Sequence, residues 1–156
     1  MAQLKPGDLA PGFCLENQDG RQVCLEDFIG RRVVVYFYPK DNTPGCTKEA
    51  CQFNENLEDL SRLQVAVVGI SPDSPGSHAQ FRENYGLKFD LLSDADHSVA
   101  EQWGAWGEKV LYGKRRTGLV RSTFVVGPDG RIEHAWYNVR ADGHPRQVLE
   151  RLASLH

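Results

Sequence analysis

The chain has 156 residues, of which 40% are hydrophobic and 25% charged, with a net charge of −3 and a pI near 5.9. This suits one soluble globular domain over residues 1–156, and it argues against nucleic acid or an anionic membrane as a standing partner, since either favours a basic face. No apolar run approaches the ~20 residues of a membrane helix, the first residues lack an apolar export segment, and the expected compartment is the cytoplasm.

Pro6-Gly7 and Pro11-Gly12 mark an irregular lead-in. Phe13-Cys14-Leu15 and Val23-Cys24-Leu25 flank Asp19-Gly20, a hairpin signal. With a two-residue loop at Asp19-Gly20, Leu15 faces Cys24 and Cys14 faces Leu25. The two cysteines then project from opposite faces, and the expectation is two packing thiols without a bridge. Arg32 to Tyr38 is a continuous β-branched and aromatic run, the mark of a strand buried on both faces. Val65 to Ile70 is a second. Between them Phe53, Leu57, Leu60 and Leu63 describe one helical face. Residues 33–70 therefore read as strand, helix, strand, with parallel strands joined by the helix.

Further helices are expected at about 75–85 and 96–103, with a short strand around residues 89–92. Ser122–Val126 and Arg131–Tyr137 form an antiparallel hairpin about Gly127-Pro128-Asp129-Gly130. Residues 144–154 close the chain as an amphipathic helix through Val148, Leu149 and Leu152. The fold class is α/β, with a central mixed β-sheet flanked by helices and an N-terminal β-hairpin extension.

Four cysteines, Cys14, Cys24, Cys46 and Cys51, allow three pairings. In a reducing compartment thiol chemistry or redox catalysis is favoured over structural disulfides. Cys46 falls in the first turn of the helix that follows the first buried strand, in the crevice where open α/β sheets bind ligands. A helix N-terminus carries roughly +0.5 charge and unpaired N–H groups, and it favours a thiolate over a thiol. Cys51 lies five residues on. On an intact helix that spacing gives ~7.5 Å of rise and a Cα separation of about 8.7 Å, beyond the roughly 7 Å that a disulfide tolerates. One unwound turn closes the gap, so the spacing describes a redox switch rather than a staple.

The stretch Pro39-Lys40-Asp41-Asn42-Thr43-Pro44-Gly45-Cys46 resembles the peroxiredoxin pattern Pro-x-x-x-Thr-x-x-Cys. Cys51, five residues later, resembles the second cysteine of the bacterioferritin comigratory protein, or peroxiredoxin Q, subfamily. Further similarity lies in Leu4-Lys5-Pro6-Gly7-Asp8, Leu91-Leu92-Ser93-Asp94, Trp106-Gly107-Glu108-Lys109 and Arg121-Ser122-Thr123-Phe124. The resemblance implies a thioredoxin-like fold and reduction of hydroperoxides by cysteine alone, without metal or haem. It implies Cys46 as the peroxidatic cysteine, Thr43 orienting the peroxide and Pro39 shielding the thiolate. It also implies Arg121 facing Cys46, Glu49 holding that arginine and Cys51 resolving the sulfenic acid as an intramolecular disulfide. Thioredoxin or a similar dithiol is the implied reductant, and a monomer or weak dimer the implied state.

Without the pattern, Thr43 reads as an N-cap, Pro39 as a strand terminator, Glu49 as a first-turn acid and Arg121 as a surface arginine. The five histidines read as surface or satisfied residues, and the Cys/His spacing is weak for zinc. Trp103, Trp106 and Tyr112 read first as core or rim packing, and second as aromatics lining a site entrance. Lys114-Arg115-Arg116 reads as a solvated loop, too short for a nucleic-acid claim. A general dithiol–disulfide oxidoreductase and a redox-sensing binding protein are the competing functions.

Overall fold

A computed structural model describes residues 3–111 and 113–154. Among these the chain runs β1 (Cys14–Glu16), β2 (Gln22–Cys24), a 3₁₀ turn (Leu25–Phe28), β3 (Arg32–Phe37), α1 (Pro44–Glu55) and α2 (Leu57–Arg62). It continues through β4 (Val65–Ser71), α3 (Pro75–Tyr85), β5 (Asp90–Ser93), α4 (Ser98–Gln102), β6 (Trp106–Leu111), β7 (Lys114–Leu119), β8 (Ser122–Val126), β9 (Ile132–Trp136) and α5 (His144–Ser154). Seven strands form one sheet in the order β2-β1-β5-β4-β3-β8-β9. β3, β4 and β5 are parallel, and the outer strands on both sides run antiparallel. This is the expected mixed sheet.

β3 is buried on both faces because its side chains alternate between two cores. Val33, Val35 and Phe37 pack with Phe13, Phe28, Trp103 and Phe124. Val34 and Tyr36 pack with Cys46, Ala50, Phe53, Leu60, Phe81, Val148 and Leu152, the apolar stripes of α1, α2, α3 and α5. Each such side chain contributes about 1.5–3 kcal/mol through burial. The strand leading to Cys46 is thus fixed from both faces, and α1 follows from its end.

Three expectations need correction. The predicted single helix face is split, since Asn56 ends α1 and Leu57 begins α2. The Asn56 side-chain amide donates to the Gln52 carbonyl, 2.8 Å away, competing with the backbone for that acceptor. Lys114-Arg115-Arg116 is a strand rather than a loop. It pairs antiparallel with β6 in a separate two-stranded sheet, where exposed basic side chains leave no apolar alternation to read. Tyr112 and His156 lie outside the described residues.

The third correction concerns the N-terminal hairpin. The loop has three residues, Gln18-Asp19-Gly20, with Gly20 at φ 76°, not two. Asn17 closes it. Its N–H donates to Arg21 O at 2.8 Å, and its side-chain oxygen accepts from the N–H groups of Asp19 and Arg21, each at 3.0 Å. The register becomes Glu16↔Gln22, Leu15↔Val23 and Cys14↔Cys24. That one-residue slip puts the cysteines opposite one another on one face, and they form a disulfide.

Gly69 on β4 is opposite Tyr36. A Cβ there would sit 2.9 Å from Tyr36 Cζ and 3.0 Å from Leu91 Cδ2. Gly69→Ala is expected to cost about 1–3 kcal/mol through overpacking, read by urea unfolding. Gly107→Ala, where the added atom meets nothing within 4 Å, is the control and should stay within about 0.5 kcal/mol.

Candidate active site

The loop between β3 and α1 is short and tightly specified. Pro39 follows the buried Tyr38 and is itself half-buried. Asn42 takes a left-handed turn at φ 63°. Thr43 is the extended N-cap of α1 and Pro44 its first residue, a position where a missing N–H costs nothing. Cys46 is then the third helical residue, still among the amides without intrahelical acceptors. Thr43 fills the N-cap position, but its hydroxyl donates to Lys40 O at 2.9 Å rather than capping the helix. That bond uses the hydroxyl proton and leaves the oxygen lone pairs available.

Cys46 is 1% exposed. Arg121, in the short connection between β7 and β8, brings Nη2 to 3.2 Å from Cys46 Sγ and Nη1 to 2.5 Å from Glu49 Oε1. Glu49 sits one turn after Cys46, on the same side of α1. It is fully buried, and its second carboxylate oxygen has no partner. Burial pushes its carboxyl up to about 7, against the opposing charge and hydrogen bond of Arg121. Burial works against the Arg121 charge, but Glu49 and Cys46 outweigh it and hold the guanidinium protonated. Beneath them, Tyr36 stacks on Phe53 at 4.6 Å. Burial, then the charges of Glu49 and Cys46, push its phenol well up, so it remains neutral.

Of the sequence-predicted residues, Cys46, Glu49 and Arg121 are therefore in direct contact. Thr43 and Pro39 flank them on the loop, and Cys51 lies further along the same helix. Cys46 and Cys51 are both free thiols on unbroken α1, so their Cα atoms stand about 8.7 Å apart by helical rise and rotation. Burial, then the Glu55 charge, push the half-buried Cys51 thiol up. Gln52 fastens this part of α1 to the loop before α5. Its amide donates to Asp142 at 2.8 Å and accepts from Gly143 N–H at 2.8 Å. Trp103 does not line an entrance. It is fully buried in the other core, with its indole N–H on Pro11 O at 3.1 Å. Trp106 packs on that same core and stacks on His97 at 3.8 Å.

Sequence reasoning missed the support behind the loop. Asp41 is buried, and its carboxylate accepts from Tyr38 Oη at 2.5 Å and Ser77 Oγ at 2.7 Å. It also faces His78 Nδ1 at 2.7 Å. His78 Nε2 donates to Leu92 O at 3.0 Å. A histidine is thus satisfied, as expected, but by the site loop itself, tying it to α3 and β5. Burial raises the Asp41 carboxyl, yet the hydrogen bonds from His78 and Tyr38 outweigh it, and the group lies below the usual range.

The matching family model, the AhpC/TSA family, covers residues 6–135. A putative peroxiredoxin of Mycobacterium tuberculosis is 56% identical over 151 residues, 97% of this chain and 96% of the relative. Peroxiredoxin Bcp of Escherichia coli is 49% identical over 149 residues, 96% of each. Among solved structures, the bacterioferritin comigratory protein of Xanthomonas campestris, described for its alkyl peroxide reduction activity, is 35% identical with a TM-score of 0.87, covering 98% of this chain and 97% of that one. PrxQ of Xylella fastidiosa is 34% identical with a TM-score of 0.92, covering 99% and 98%. The fold is the thioredoxin-like fold of peroxiredoxins. The chain belongs to the AhpC/TSA family and is a peroxiredoxin of its Bcp/PrxQ subfamily.

Two predictions follow from the buried charges. His78→Ala leaves the buried Asp41 carboxylate and Leu92 O without the ring nitrogens that face them at 2.7 and 3.0 Å, which is expected to cost about 1–3 kcal/mol in urea unfolding. Glu49 binds its proton up to about 7 when folded but only to roughly 4.3 when unfolded. The folded state therefore holds the extra proton between those values, and stability falls as pH rises through that window. Glu49→Gln should remove that slope from a series of unfolding curves at pH 4.5–7.5, and an unchanged slope would contradict the assignment.

Proposed function

We propose that this peroxiredoxin is a thiol peroxidase that reduces hydrogen peroxide and organic hydroperoxides through a sulfenic acid at Cys46. The observation that carries the reading is the Arg121 guanidinium 3.2 Å from a buried Cys46 sulfur. At that range and burial it stabilises negative charge on sulfur and, as the O–O bond breaks, on oxygen. Thr43 offers its hydroxyl oxygen to the peroxide proton. Pro39 keeps water from the sulfur, and Glu49 holds the arginine fork in line with it. Cys46 thiolate attacks one peroxide oxygen, water or an alcohol leaves with a proton, and sulfur becomes sulfenic acid.

Cys51 is the resolving cysteine in this reading. Burial within the folded helix, then the Glu55 charge, push its thiol up. Unwinding the first turns of α1 brings it to Cys46 and removes that burial in the same motion, which returns the thiol toward its ordinary range. It attacks the sulfenic sulfur, water leaves, and an intramolecular disulfide forms. A dithiol donor of the thioredoxin class then reduces it by exchange. The alkyl peroxide reduction attributed to the Xanthomonas relative supports organic hydroperoxides among the substrates. The same reading takes the chain as one domain over 1–156, a cytoplasmic monomer or weak dimer needing no metal or cofactor.

General dithiol exchange gives the buried Arg121–Glu49 pair no task, and its usual spacing is Cys-x-x-Cys. Peroxide-dependent consumption of reductant separates the two. Cys46→Ser should reduce it to the uncatalysed rate, and wild-type turnover by that variant would end the proposal. Cys51→Ser, run with thioredoxin as reductant, should accumulate Cys46 sulfinic acid by mass spectrometry. Resistance equal to the wild type would remove Cys51 from the resolving role.

A further inference from the structure

The Cys14–Cys24 disulfide plays no part in the site around Cys46. Its strands are the two outermost of one sheet edge. They stand three and four strand spacings from β3, about 14 and 19 Å, beyond the reach of a bridge to the strand and loop that carry Cys46.

The bond is open to attack. Cys14 is exposed and Cys24 only partly covered. β1 joins the rest of the sheet through the single register pair Glu16↔Ser93, and both cysteines line a surface groove with Gly12, Phe13 and Glu26. The hairpin also holds its register without the bond. On one side the Asn17 turn closes it. On the other, Leu25 N–H donates to Phe13 O at 3.0 Å, and both of those side chains are buried in the core. With Phe13 and Leu25 hydrogen-bonded, Cys14 and Cys24 form the adjacent non-hydrogen-bonded pair, where opposite side chains are closest. Reduced thiols there stay opposite one another, poised to close again. A core of this size needs no staple, so a permanent bond adds nothing that the fold lacks. Exposed disulfides are the ones that exchange.

We propose that Cys14 and Cys24 form a second, reversible thiol–disulfide couple, independent of Cys46 and Cys51, whose substrates are dithiols. One thiolate of the dithiol attacks the exposed Cys14 sulfur. A mixed disulfide forms, the Cys14–Cys24 bond breaks, and its electron pair leaves on Cys24 sulfur, which takes a proton. The second thiol of the donor attacks the mixed disulfide and releases Cys14. The donor loses two electrons and two protons and becomes a disulfide, and the cysteine pair gains them. Oxidised dithiol runs the same steps in reverse and restores the bond.

The test is a redox titration of the folded Cys46→Ser/Cys51→Ser protein in mixtures of reduced and oxidised dithiothreitol. Free thiols are trapped by alkylation and located by mass spectrometry. The expected result is one two-electron transition in native buffer, with Cys14 and Cys24 alkylated together and the same curve reached from either direction. Full-length Cys14→Ser should keep wild-type peroxide turnover, which separates this couple from the Cys46 site. The proposal is overturned if the bond resists excess dithiothreitol until the protein is unfolded. It is equally overturned if the thiols, once formed, fail to reclose in oxidised dithiothreitol, or if Cys14→Ser abolishes turnover in a protein that still unfolds cooperatively.

Discussion

The chemistry proposed for this chain depends on one contact, the guanidinium of Arg121 against a sulfur that water scarcely reaches. In water such a pair contributes about 1 kcal/mol at 4 Å, and several times that where the surroundings are protein. Placing sulfur in that environment requires a rigid floor, and β3 supplies it. Tyr36 fills the space below the site, and Gly69 makes room for the ring. Glu49 then positions the arginine, at the cost of its own desolvation. Its carboxyl near 7 makes the strength of the Glu49–Arg121 pair sensitive to pH in the neutral range. Glu49 and Cys46 also compete for one cation. When Glu49 holds a proton, more of the Arg121 charge is left for Cys46.

The loop and the helix around this contact are built with opposite mechanical character. The loop is fixed from behind by Asp41, Tyr38, Ser77 and His78, all joined by short hydrogen bonds. This holds the loop that carries Thr43 and Pro39 in place. The start of α1 has less to hold it, because Thr43 does not cap it and Gly45 is a poor helix former. Beyond the Arg121 contacts with Cys46 and Glu49, the next latch on α1 is Gln52, one residue past Cys51, where both ends of the amide are bonded to the loop before α5. A helix that melts from its N-terminus as far as Cys51 would stop there. Proposed resolution by Cys51 therefore needs only the part of α1 ahead of this latch.

Which parts were legible in the sequence follows from where the information resides. The β3–α1–β4 unit shows in a continuous apolar run and a helical stripe, both local signals, and Cys46 at the helix start follows from them. Arg121 is different. It reaches Cys46 from 75 residues away, and only the family pattern singled it out among the arginines. His78 was placed on the correct helix, but its bond to Asp41 is a tertiary event with no local mark. The hairpin register turned on the side chain of Asn17, which converts a two-residue loop into three and so reverses the expectation for Cys14 and Cys24. The β6–β7 hairpin went unread because its outward basic residues carry no apolar alternation.

The central claim is that Arg121 and the start of α1 make Cys46 the sulfur that peroxide oxidises first. The most direct test is to give the fully reduced protein one equivalent of hydroperoxide in the presence of dimedone, and to locate the adduct by mass spectrometry. The account predicts sulfenic acid trapped on Cys46, with the label lost when Arg121 is replaced by methionine. Label arriving first on Cys51, Cys14 or Cys24, or equal labelling of Cys46 without the arginine, would contradict it.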